Sequence, residues 1–157
     1  MGFEVRPLYE TKEDLSRERE IGEAIAEKWK VGIEKLPIKY IVDYGLTRND
    51  KVVAWAEIRC RSKVWECPFI SAQKYWSGIE LSKKSGLPFF LIFSFPKLVC
   101  YQKIEAGEYP DIVFGGRGQV RDWQDREPMV VLDIQGFTRV EVVANLTTTW
   151  ATQLQRV

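Results

Sequence analysis

Two acidic residues on neighbouring strand-like runs carry the chemistry open to this chain. Asp43 lies in KYIVDYGL and Glu57 in KVVAWAEIRCR, and TRND, Thr47 to Asp50, reads as the hairpin turn between them. Strand side chains alternate, so Glu57, Arg59 and Arg61 share one face and Ile58 and Cys60 the other. A hairpin in the right register brings Asp43 against Glu57. Two carboxylates in one cleft repel unless a cation separates them. A hard ion such as Mg²⁺ takes a few oxygen ligands, keeps several waters, activates one of them and neutralises charge developing on a phosphate. That is the chemistry of phosphodiester hydrolysis. A plainer alternative pairs Glu57 with Arg59 or Arg61 at a sheet surface and leaves Asp43 as a turn-end residue.

Composition removes most other chemistries. The chain has no histidine, which excludes Ser-His-Asp and Cys-His triads and any His-ligated zinc. Cys60, Cys67 and Cys100 form no C-x-x-C pair, and an odd count at irregular spacing argues against a disulfide framework. FGGRGQ has glycines but lacks the Lys-Ser/Thr of a phosphate-binding loop. With 23 basic and 22 acidic residues the net charge is +1, so any nucleic-acid surface must be local. No membrane-length apolar run or signal peptide is evident, which makes a cytoplasmic location the expectation.

The elements that must position these groups follow from periodicity. Asp14 to Trp29 reads as a helix, with Ile21, Ala24, Ile25 and Trp29 at helical spacing and Glu20, Glu23 and Glu27 on a neighbouring face. Ser71 to Ser85 is a second helix, with Ala72, Tyr75, Trp76 and Ile79 on one face, Ser71 placed to cap it and Gly86 with Pro88 to end it. PFFLIFSF predicts a strand buried on both faces, and KLVCYQKI another. Residues 106–127 read as a long Gly/Arg-rich loop or arm. PMVVLDI is a late strand, GFTRVEVV a further short element, and 145–157 a polar tail that is flexible or packs at an edge. The order predicts an α/β fold: a central mixed sheet flanked by helices.

This order resembles the PD-(D/E)XK nuclease superfamily, whose fold is restriction-endonuclease-like: a helix, a strand carrying Asp, a strand carrying Glu-x-Lys, then a helix crossing to a buried strand. The matching pieces are Asp43 in IVDYG, Glu57 in AEIRC, the helix SAQKYWSGIELSKKSG and the strand PFFLIFSF, with REPMVVLDIQGF as a closing strand. The resemblance implies one nuclease-like domain over residues 1–157, with Asp43 and Glu57 holding Mg²⁺ or Mn²⁺. Some members add a Gln or Lys from the first turn of the second helix, where Gln73 and Lys74 stand, and some a carboxylate from the first helix, where Glu20 and Glu23 are candidates. Gln73 and Lys74 read equally as ordinary polar helix residues, and Glu20 and Glu23 read more readily as a solvated helix face than as ligands.

Arg59 departs from the pattern by replacing the family's Lys. Arginine stays protonated and cannot act as a general base, though it can hold a phosphate. Three readings follow. One is a metal-dependent nuclease acting on DNA, with RNA not separated from it, in which Arg59 or Lys74 supplies the charge. Another is a catalytically inactive protein of this fold that binds nucleic acid or a protein. A third is a small assembly subunit using the loop as an arm. Arg117, Arg121 and Arg126, around Trp123, suit a loop that grips phosphates; Asp122, Asp125 and Glu127 suit a merely solvated one. Many proteins of this fold cut both strands as dimers, so the resemblance admits a homodimer, while the residues leave the oligomeric state open.

Overall fold

Helix α1, Lys12–Trp29, is followed by a three-stranded meander: β1 (Gly32–Lys35), β2 (Tyr44–Arg48) and β3 (Lys51–Cys60). The computed structural model describes residues 12–64, 66–116 and 126–141. The turn between β2 and β3 consists of Asn49 and Asp50, at φ 51° and 59°. A two-residue hairpin turn matched to strand twist requires this left-handed conformation, and Asn and Asp tolerate it best after glycine.

The register of this hairpin shifts once. Arg48 pairs with Lys51 and Thr47 with Val52, but Leu46 pairs with Ala54, so Val53 is an extra residue in β3. Beyond the bulge Tyr44 stands opposite Ala56, and Asp43 therefore enters opposite Glu57.

From β3 the chain runs through β4 (Phe69–Ser71) and α2 (Ala72–Ser85) to β5 (Phe89–Phe95), which returns parallel to β3. A parallel return needs such a crossover. Strand β6 (Leu98–Ile104) is antiparallel to β5, and β9 (Thr138–Val140) pairs with β6, giving the sheet order β1-β2-β3-β5-β6-β9. A second sheet, β4-β8-β7, is completed by β7 (Ile112–Gly116) and β8 (Arg126–Val131).

Each face of the large sheet buries its own core. On the α1 side Ile21 and Ile25 pack with Leu46, Ala56, Ile58 and Ile92. On the α2 side Tyr75 and Ile79 pack with Phe89, Leu91, Phe93 and Val130. Strand β5 feeds both, which is why its sequence is apolar at nearly every position. Among the described residues no helix is long and apolar enough to cross a membrane.

Several expectations need correction. The run KYIV is not strand: Pro37 opens a loop, closed by a turn in which Tyr40 N–H donates to Pro37 O at 2.9 Å, and β2 begins only at Tyr44. The stretch read as a loop or arm contains β7 and the start of β8. Ser71 precedes α2 but does not cap it; its hydroxyl donates to Glu127 Oε2 at 2.9 Å. Gly86 does end α2, in the left-handed conformation at φ 71°. The tail beyond residue 141 lies outside the described residues.

Helix α2 approaches β5 through Gly78. A Cβ built there would lie 2.0 to 2.3 Å from the Phe89 ring. Phe89 is fully buried and cannot swing away. Gly78→Ala should therefore destabilise the protein by about 1–3 kcal/mol, an overpacking cost that exceeds the helix-propensity gain. Urea denaturation would show this as a lower midpoint with an unchanged slope.

Candidate active site

Glu57 has 0% exposure in the middle of β3. A charged carboxylate there must be paired, because its desolvation is otherwise prohibitive. Its Oε2 accepts from the Asp43 backbone N–H at 3.0 Å. Its Oε1 faces two cations, the Arg59 guanidinium and Lys74 Nζ, the latter at 3.0 Å. Arg59 and Glu57 are two apart on one strand face, so both project toward α2. Arg61 is not part of this contact; it turns to Cys60 O at 3.2 Å and over the Phe93 ring. The reading of Glu57 as half of a surface ion pair is thus excluded by its burial.

Asp43 completes the pair of carboxylates from the residue just before β2. Lys74 Nζ lies 3.3 Å from its Oδ1 and Arg59 Nη1 3.5 Å from its Oδ2. One ammonium and one guanidinium therefore bridge both acids. Lys74 comes from the first turn of α2, which also lets it donate to Ile41 O at 3.0 Å. Gln73, one residue earlier, is exposed.

The first helix contributes a carboxylate, but it is Glu18 and not the expected Glu20 or Glu23. Glu18 is 7% exposed and lies on the same stripe as Ile21, Gly22 and Ile25. It accepts from Tyr44 Oη and Lys35 Nζ, each at 3.4 Å, and stands 3.8 Å from Arg59 Nη1. Glu20 is two residues on, about 200° around the helix. Glu23 is paired with Arg19 at 3.0 Å on the exposed side. Lys35, which no sequence pattern singled out, also reaches Asp43 Oδ1 at 3.7 Å. The signal for Glu18 was present: an acid at i relative to apolar i+3, i+4 and i+7 positions has to be buried with a partner.

The two central acids titrate apart. Burial pushes Glu57 up, and the charge of Asp43 adds to this; Arg59 and Lys74 pull the other way but lose, leaving it at about 7. Burial also acts upward on Asp43, yet Arg59, Lys74 and Lys35 outweigh it and hold this carboxyl below its ordinary range. One acid is thus firmly ionised while its neighbour is poised near neutrality. Asp43, Arg59 and Lys74 line an open cleft of about 550 Å³.

The donor set is two carboxylates with neither sulfur nor imidazole, and this fits a hard cation that binds through one or two carboxylates and keeps its waters. Among the described residues no group of three or more candidate side chains forms a full metal cage. Of the arginines assigned to nucleic acid, Arg126 opens β8 and is exposed, whereas Arg117 and Arg121 lie outside the described residues.

Residues 4–140 match the family model described as "Phage putative PDDEXK endonuclease". The chain belongs to that family. Asp43, just before β2, and Glu57, within β3, lie together on the mixed sheet, with Lys74 of the crossover helix against both. Among solved structures the chain is similar to Hjc, a Holliday junction resolvase from the archaeal hyperthermophile Archaeoglobus fulgidus. The TM-score is 0.48 at 11% identity, over 74% of this chain and 83% of that one. No curated protein sequence matches the chain.

The raised Glu57 has a stability consequence whose sign is fixed. Its ordinary value is 4.5 and its folded value about 7. Between the two the folded protein keeps a proton that the unfolded chain has lost, so stability falls as pH rises through that window. Asp43, shifted downward, acts only below its ordinary 3.8 and does not overlap. Glu57→Gln removes the titration. From pH 5 to pH 8 in chelator, the stability difference between variant and wild type should move by on the order of 3 kcal/mol in the variant's favour, read by denaturant unfolding. Parallel pH profiles for the two proteins would contradict it.

Proposed function

We propose that this member of the PD-(D/E)XK family is a divalent-metal-dependent nuclease that hydrolyses phosphodiester bonds of DNA. The observation that carries this reading is the meeting of Asp43 and Glu57 around Lys74 Nζ, 3.3 and 3.0 Å away, at the wall of an open cleft. Asp43 and Glu57 would hold Mg²⁺ or Mn²⁺, which when bound supplies water activation and charge neutralisation at the phosphate.

The chain's own residues then divide the work. Lys74, with 27% of its side chain exposed, offers its N–H donors to a phosphate oxygen or to the attacking water. It stands in from α2 for the amine that β3 lacks. Arg59 cannot accept a proton; it stabilises negative charge, and Glu18 restrains it from behind. Arg126, together with Arg117 and Arg121, is proposed to contact the phosphate backbone away from the cut. A homodimer would present two such sites to the two strands.

Arg59 in place of lysine favours a second reading, a nuclease-fold protein that binds without cutting. Nicking of supercoiled plasmid with Mg²⁺ or Mn²⁺ separates the two. On the first reading wild type nicks, and Asp43→Ala and Glu57→Ala abolish nicking. Lys74→Ala should lower the rate by roughly a hundredfold or more, the usual cost of losing a positioned charge at a developing oxyanion. Arg59→Lys should retain activity. Wild type that binds DNA yet never nicks with either ion, while remaining folded by circular dichroism, would favour the binding-only reading; Lys74→Ala that nicks at the wild-type rate would remove Lys74 from the mechanism.

A further inference from the structure

The loop from Leu36 to Asp43 carries an apolar tip into solvent. Ile38 is 80% exposed, Tyr40 42% and Ile41 36%. Its base is nonetheless fixed: Leu36 N–H donates to Asp43 O at 2.8 Å, and Lys74 Nζ donates to Ile41 O at 3.0 Å. The two residues that pin the loop are thus the two that meet at the acidic cluster.

The tip also divides two clefts. Tyr40 and Ile41 line the 550 Å³ cleft that contains Asp43, Arg59 and Lys74, and equally a second cleft of about 230 Å³ reaching Lys39, Ser77 and Lys84. Lys39 Nζ stands 5.7 Å from the Tyr40 ring centroid. Lys84 is paired with Glu80 at 2.9 Å, both largely exposed. A strand whose phosphate lies at the cluster must pass this tip to enter the second cleft.

An exposed aromatic beside a phosphate track finds a suitable partner in the face of a base. In continuous duplex those faces are covered by their neighbours. We infer that Tyr40, flanked by Ile38, stacks on an unpaired base next to the phosphate held at Asp43 and Glu57, so that the preferred substrate is DNA with unpaired nucleotides beside duplex. This rests on the nuclease reading and narrows its substrate class.

The test uses the full chain, Ca²⁺ in place of Mg²⁺, and two DNAs of equal length: a continuous duplex and a gapped duplex with 2-aminopurine at an unpaired position. Wild type should bind the gapped DNA roughly ten- to a hundredfold more tightly and quench the probe. Tyr40→Ala should lose both the preference and the quench, and Tyr40→Phe should keep both. Thermal melts check that the exposed substitutions leave the fold intact. Equal binding of the two DNAs by wild type, or a preference that survives Tyr40→Ala, would overturn the inference. A wild type that cuts plasmid while showing either result sinks this inference alone. A wild type that neither binds nor cuts DNA sinks the nuclease reading and this one with it.

Discussion

A carboxylate with no exposure in a central strand is the constraint around which this protein is arranged. Glu57 can be there only because a backbone N–H, a guanidinium and an ammonium all face it. They come from three separate segments: the residue before β2, β3 itself, and the first turn of α2. Removing one partner of such a buried cluster typically costs about 3–5 kcal/mol, since the remaining charge is left uncompensated. The same contacts that hold the candidate site together therefore also tie the crossover helix to the hairpin. Burial wins over pairing at Glu57 and loses at Asp43, and this difference gives two chemically identical groups different protonation states at neutral pH.

Periodicity made both helices and the long strands legible. Ile21 and Ile25, or Tyr75 and Ile79, recur as a helix face must, and PFFLIFSF is apolar because β5 is covered on both sides. The short strands were not legible. Gly32–Lys35 is mostly exposed, and Ile112, Val113 and Phe114 are exposed, so neither strand shows a burial pattern; their pairing supplies the order. KYIV looked like strand because β-branched and aromatic residues favour pleated surfaces, but Pro37 and the turn after it take the backbone elsewhere.

The site was legible where strand alternation governs it and illegible where three-dimensional reach does. Glu57 and Arg59 follow from a period of two. Lys74 could be named from the first turn of a helix, but its contact with both acids depends on how α2 crosses the sheet. Glu18 belongs to the apolar stripe of α1 and not to the neighbouring face that carries Glu20, Glu23 and Glu27, so the acidic face of the helix does not point to it. Lys35 had no signal at all: it acts through β1, a strand whose only mark in the sequence is its neighbour's register.

The single extra residue at Val53 has a consequence for how the chain can change length. In a regular hairpin closed by Asn49 and Asp50, Asp43 would face Ala56, whose side chain points to the α1 core. The bulge moves that partner by one, to Glu57. Since neighbouring positions on a strand point to opposite faces, parity decides whether the acids meet. A one-residue insertion or deletion near the hairpin tip, without a second to restore the count, would leave the hydrophobic layers a way to re-register while separating the two acids. A change of the strand count by one is therefore expected to part the acidic pair, and a change by two to restore it.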